Sequence, residues 1–135
     1  MSGLSSGPAV PVLTLGDVLL VSLQGELHDE MAEQLQLDIT DRIAHSKVTG
    51  VVIDVSGVDI VDSFLGRILA EIASSARLLA ARTVLAGMRP AVAITLVELG
   101  LTLPGLTTAL DVGRAMDLLL QPTGPAPTSG RRGEM

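Results

Sequence analysis

The stretch Gly50 to Leu69, GVVIDVSGVDIVDSFLGRIL, decides the fold. Its opening residues Val51, Val52, Ile53 and Val55 form a nearly continuous β-branched run, interrupted only by Asp54, and such a run suits a strand covered on both faces. A buried parallel strand is therefore predicted. Ser56 and Gly57 begin a polar loop, the apolar piece Val58, Ile60 and Val61 follows, and Asp62-Ser63 brings two residue types that favour a helix N-terminus. From there Phe64, Ile68, Leu69, Ile72, Ala76 and Leu79 recur at spacings of about three and four, which marks one face of a helix running to about Ala81. In open parallel sheets, function gathers outside the carboxyl ends of the strands. That puts the weight on this loop, and on Ser63 above all.

Upstream, Val12 to Leu15 and Val18 to Leu23 read as short strands joined by Gly16-Asp17, a pair suited to a hairpin turn. Gln24 to His28 is a polar connection. Met31, Leu35, Ile39 and Ile43 then repeat every four residues, predicting a helix with acids crowded near its start and Asp29 as a candidate cap. Downstream, Thr83 to Ala86 reads as a strand ended by Gly87. Pro90 suits the first turn of a helix over Ala91 to Leu99, and Gly100 the position past its end. Thr95 and Glu98 are that helix's only polar side chains, so it is expected to be covered within the domain or pressed against another subunit. Leu106 to Leu110 reads as a short edge strand and Asp111 as the cap of a last helix through about Leu120. The fold class is α/β: a mixed sheet with an initial antiparallel hairpin and about four helices, arranged in two layers. One domain over 11–121 is expected, with the Ser-, Gly- and Pro-rich ends, 1–10 and 122–135, disordered.

Composition removes several classes of function. With 135 residues the chain can close one hydrophobic core. Although 47% of residues are apolar, no run approaches the ~18 to 20 consecutive apolar residues of a membrane helix. MSGLSSGPAVP has neither the basic start nor the apolar core of a secretory signal, so a cytoplasmic location is expected. The absence of cysteine rules out a disulfide framework and thiolate chemistry. A net charge of −6 argues against nucleic acid. No Lys or Arg precedes Arg42, whereas Asp17, Glu26, Asp29, Glu30, Glu33, Asp38 and Asp41 all do. An acidic face in the N-terminal half follows, either a solvated helix surface or an attraction for a basic protein partner. A single Phe without Trp or Tyr gives little support to base stacking or an aromatic cage.

The candidates for chemistry are few. Ser63 reads as a phosphoacceptor or as a helix cap, and both can hold together: a hydroxyl at a helix N-terminus meets unpaired N–H groups and the positive end of the dipole, a setting that tolerates a phosphate. Ser56 is a second hydroxyl on the loop, in ordinary turn chemistry before Gly57. Asp54, Asp59 and Asp62 admit a magnesium or acid/base reading, but loop acids that cap and turn are commoner. A phosphoaspartate receiver would need a lysine late in the chain, and the only one, Lys47, lies before Asp54. His28 and His45 stand in no ligand motif, and there is no P-loop, dinucleotide fingerprint or nucleophile elbow. No catalytic residue, metal or cofactor is expected, and the chain is not read as an enzyme.

The segment VVIDVSGVDIVDSF (Val51 to Phe64), followed by LAGMRPAVAITLVELG (Leu85 to Gly100), resembles the STAS domain of anti-sigma-factor antagonists and of the cytoplasmic parts of sulphate transporters. Within that family the likeness is to stressosome scaffolds of the RsbS type, and it covers about Val12 to Leu120. It implies a SpoIIAA-like fold and a scaffold that holds an RsbT-type serine kinase until that kinase phosphorylates the serine at Ser63. It also implies a PP2C-type phosphatase that resets the switch, and homo- and hetero-oligomers with RsbR-type paralogues. Asp59, Asp62, Ser63 and Phe64, with Ser56 and Asp29, are the expected partner-binding residues. The paralogues carry a sensory domain before the first strand, expected here at about residue 12, and tend to have a phosphorylated threonine near the start of the first helix, where this sequence offers Asp29. The alternative within the family is a simple anti-sigma-factor antagonist of the RsbV or SpoIIAA type, binding a kinase that itself holds a sigma factor.

Overall fold

The computed structural model describes residues 10–25, 27–58, 62–98, 100 and 106–120. The expected disordered ends lie outside these residues except for Val10, which packs against the core. In chain order the elements are β1 (Val12–Leu15), β2 (Val18–Gln24), α1 (Asp29–His45), β3 (Gly50–Gly57), α2 (Ser63–Leu78), β4 (Arg82–Ala86), α3 (Pro90–Glu98), β5 (Leu106–Ala109) and α4 (Val112–Leu120). The strands form one sheet in the order β1-β2-β3-β4-β5. β1 and β2 are the predicted antiparallel hairpin, with Leu15 opposite Val18, and the other three pairings are parallel. No helix among the described residues is long and apolar enough to cross a membrane.

β3 is central because both its faces are apolar. Val51, Ile53 and Val55 join Leu19, Val21, Leu23 and Leu85 beneath α1 and α2. Val52 faces the other way, among Val18, Val84, Ala86 and Ala115 of α4. The molecule therefore has three layers, not the expected two, since the second apolar face of β3 needs cover and α4 supplies it. α4 lies so close over the start of β3 that a Cβ on Gly50 would stand 2.8 Å from Leu119 Cδ1. Arg82 Nη2 donates to the Leu118 carbonyl at 3.2 Å, a cation satisfying the last turn of α4. Burying one side chain such as Ile53 contributes about 1.5–3 kcal/mol, and the β3 run repeats that gain at successive positions.

Several boundaries shift for local reasons. Ser56 and Gly57 extend β3 instead of opening a loop, because a register irregularity in β2 lets Gln24 pair with Gly57. α2 stops at Leu78, short of Ala81, where Ala80 takes a positive φ of 63°. There Ala80 N–H donates to Arg77 and Ala81 N–H to Ala76, the paired bonds of a Schellman end. Leu79 falls outside the buried face, which Leu65, Gly66 and Ala73 complete. Asp111 caps α4 as expected, its Oδ1 accepting from Arg114 N at 2.8 Å. The apolar helix α3 is covered only in part: Val92 and Leu96 are buried, whereas Ile94 and Val97 are exposed.

Candidate functional site

β2 and β3 are parallel neighbours, so the helices that follow them start side by side at the carboxyl end of the sheet. The β3 end is fixed by short-range bonds. Asp54 Oδ1 accepts from Ser56 N at 3.0 Å, Val58 N–H donates to Val55 O at 3.0 Å, and Gly25 N–H donates to Gly57 O at 3.1 Å, which ties this end to β2. Asp54 is thus occupied in turn chemistry. Among the described residues no group of three or more His, Asp or Glu side chains is placed to hold a metal ion.

At the start of α2 the N-cap is Asp62, in extended conformation, and its Oδ1 accepts from Leu65 N at 2.9 Å. The first intrahelical bond, from Gly66 N–H to Asp62 O, is 3.1 Å. Ser63 is therefore not the cap but the first helical residue. Its side chain is exposed, and its hydroxyl has no hydrogen-bond partner among the described residues. With the cap assigned to the aspartate, the serine oxygen is not needed for capping. Phe64, next in sequence, is half-buried and packs against the main core.

The α1 start is built differently. Its N-cap is His28, which makes no side-chain cap bond, and Asp29 is the first helical residue, so the expected Asp29 cap is corrected. Aspartate is favourable at either position, as a cap through its oxygen and within the first turn through the dipole, and residue type alone does not separate them. Between the two helix starts lies an open cleft of about 490 Å³. Asp29, Asp62, Phe64 and Leu65 line it together with Gly25, Leu27 and His28. Three of the expected partner-binding residues thus share one concavity, in which carboxylates from both helix starts lie among the apolar side chains Leu27, Phe64 and Leu65. Ser63 stands beside it on the first turn of α2, Ser56 is exposed at the end of β3, and Asp59 lies outside the described residues.

Further along α1 the acids are partly matched on their own helix. Asp38 Oδ1 meets Arg42 Nε at 2.9 Å, and Asp41 Oδ1 lies 3.0 Å from His45 Nδ1. Sequence reasoning missed one long-range contact to the site: Arg89 Nη2, from the loop after β4, donates to the Val58 carbonyl at 2.7 Å. Pro90 marked the start of a helix there, but nothing local signals that the preceding side chain reaches back across 31 positions.

Residues 9–115 of the chain match a known family model, the STAS domain. The chain belongs to the STAS domain family. A serine-to-glutamate variant of RsbS from Moorella thermoacetica is 40% identical, with a TM-score of 0.73 over 82% of this chain and 93% of that one. A structure described as the molecular architecture of the stressosome, a signal integration and transduction hub, is 41% identical, with a TM-score of 0.71 over 81% of this chain and 95% of that one. Among curated proteins, the RsbT co-antagonist protein RsbRA of Bacillus subtilis is 27% identical over 87% of this chain. This STAS domain spans about two fifths of the length of such curated relatives, 42% for RsbRA. It is an RsbS/RsbR-like STAS domain.

Proposed function

We propose that this chain is a non-enzymatic regulatory scaffold of a cytoplasmic stressosome-type complex, which holds an RsbT-type serine kinase and releases it when Ser63 is phosphorylated, controlling a general stress response. The observation that carries this reading is the division of labour at the α2 start: Asp62 caps the helix, leaving the exposed Ser63 hydroxyl available. In the reaction Ser63 Oγ attacks the γ-phosphorus of ATP, the bond to the β-phosphate oxygen breaks, ADP leaves, and the hydroxyl proton passes to a base on the kinase. The product carries roughly −1.5 to −2 charge at neutral pH. The backbone N–H groups of the first turn attract that charge, whereas the Asp62 carboxylate repels it. α2 is held at both ends, so the added charge acts on the docking surface of Asp59, Asp62, Phe64 and Ser56, with Asp29 across the cleft, more than on the fold. A penalty of about 1.4 kcal/mol in the docked state is a tenfold loss of affinity.

The partners in this reading are the kinase, RsbR-type paralogues that co-assemble through their STAS domains, and a PP2C-type phosphatase that restores the serine. The test is to incubate the protein with an RsbT-type kinase and ATP, locate the modified residue by mass spectrometry, and measure kinase affinity for wild type, Ser63→Ala and authentically phosphorylated protein. Label on Ser63, retention by Ser63→Ala and at least tenfold weaker binding of the phosphoprotein are expected. Equal affinity for all three ends the switch. Size-exclusion with an RsbR-type paralogue separates a scaffold, which enters a large particle, from a simple anti-sigma-factor antagonist of the RsbV or SpoIIAA type, which does not.

A further inference from the structure

The loop between β4 and α3, Gly87 to Arg89, approaches the carboxyl end of β3 at Ser56 and Asp54 and, one step beyond that strand, Val58. Gly87 has a φ of +75°, and a Cβ built there would lie 2.9 Å from Ser56 Cβ and 3.1 Å from Asp54 Oδ1, so only a bare Cα permits this approach. Two residues on, the Arg89 guanidinium donates to the Val58 carbonyl at 2.7 Å. Both ends of that bridge are fixed. Val58 is buried and its N–H is bonded to Val55, while the Arg89 carbonyl accepts from Val92 and Ala93 N–H groups and so begins α3. The bond therefore links the first turn of α3 to the last described residue before the segment 59–61 that leads into Asp62 and Ser63. A charge-assisted bond onto a carbonyl is stronger than a neutral one, and it sets where the chain leaves β3.

We infer that Arg89 is a positioning residue for phosphorylation: its bond to the Val58 carbonyl anchors the carboxyl end of β3, the point from which the chain runs on to Ser63, and so governs how Ser63 is presented to the kinase. The inference rests on the reading of Ser63 as the kinase substrate and adds a residue from a different strand connection. Small misplacement of a reacting group lowers the rate of transfer more than it lowers binding. Arg89→Met keeps the aliphatic stem and removes every donor, and Arg89→Lys restores a cation and a donor.

The experiment measures kcat and KM for Ser63 phosphorylation by an RsbT-type kinase on wild type, Arg89→Met and Arg89→Lys, with amide hydrogen exchange around Val58 and thermal unfolding followed on the same samples. Expected for Arg89→Met is a drop of about tenfold in kcat with a smaller change in KM, faster exchange around Val58 and retained cooperative unfolding. Arg89→Lys should recover most of the kcat. Wild-type kcat in Arg89→Met overturns the inference, as does an equal loss in both variants. If wild type itself takes no phosphate on Ser63, the functional reading fails and the inference with it; normal labelling of wild type and Arg89→Met alike removes only the role of Arg89.

Discussion

α1 and α2 lie side by side, follow adjacent parallel strands and share one cleft, yet they are finished in opposite ways. α2 has a side-chain cap at one end and a Schellman closure at the other, and seven of its residues are buried. α1 has four buried residues, a cap residue without a cap bond, and Asp29 and Glu30 in its first turn. The positive end of each helix dipole thus meets a different kind of negative partner. At α1 the charge is permanent and written into the sequence. At α2 the permanent charge is the Asp62 carboxylate at the cap position, with no acid in the first turn, and a phosphate on Ser63 would add to it. The helix that carries Ser63, the proposed phosphoacceptor, is the one whose geometry is closed off at both ends, so a phosphate there would alter what a partner meets without melting what carries it.

The largest expected effect tests whether the two helix starts are functionally unequal. Ser63→Asp places one added charge at α2 and is expected to weaken kinase binding about tenfold, provided a single charge mimics enough of the phosphate. Asp29→Asn removes a charge at α1 and should change the same affinity by less than about threefold, because an exposed charge near a docking surface is screened by solvent and salt. Titration of both variants against one RsbT-type kinase preparation makes the comparison. An Asp29→Asn effect as large as that of Ser63→Asp would show that both starts are read alike.

A smaller effect concerns stability. Asp62→Ala deletes the acceptor for Leu65 N–H and should cost about 1 kcal/mol, the usual value of a lost N-cap. It would appear as a lower urea midpoint with an unchanged slope. If the slope changes too, α2 unravels locally, and its start is not the rigid platform that the comparison with α1 makes of it.

How far the sequence revealed this arrangement depends on the range of each interaction. β3 and the helix after it were legible because β-branched residues at Val51, Val52 and Ile53 and the i, i+3, i+4 recurrence of Ile68, Leu69 and Ile72 are local signals. The third layer was less so. The two-sided apolar run of β3 already required cover on its second face, but the pattern of α4 alone does not say on which side of the sheet it packs. Ser63 was legible as the residue at the strand-to-helix passage; its release from cap duty was not, since Asp62 and Ser63 are both good caps and only geometry selects between them. The contact from Arg89 to Val58 was silent because a backbone carbonyl carries no side-chain signature. The exposed half of α3, Ile94 and Val97, leaves the expectation of an apolar helix met only in part by its own domain.

The smallest effect asks whether the weaker helix start can be made like the stronger one. His28 already has the extended backbone of a cap residue, with φ −86° and ψ 159°, and its carbonyl accepts from Ala32 N at 2.8 Å. Only a side-chain acceptor of suitable length is missing. In His28→Ser the hydroxyl can accept from Glu30 or Met31 N–H, the second and third helical positions, with a gain of about 0.5 kcal/mol. The gain should fall short of the loss in Asp62→Ala, because Asp29 and Glu30 already answer the dipole that the new cap would serve. Urea midpoints of the two variants, read against wild type, give both numbers on one scale. A gain in His28→Ser equal to the Asp62→Ala loss would mean that the acids of the first turn contribute nothing to α1, and that the contrast between the helices lies in the caps alone.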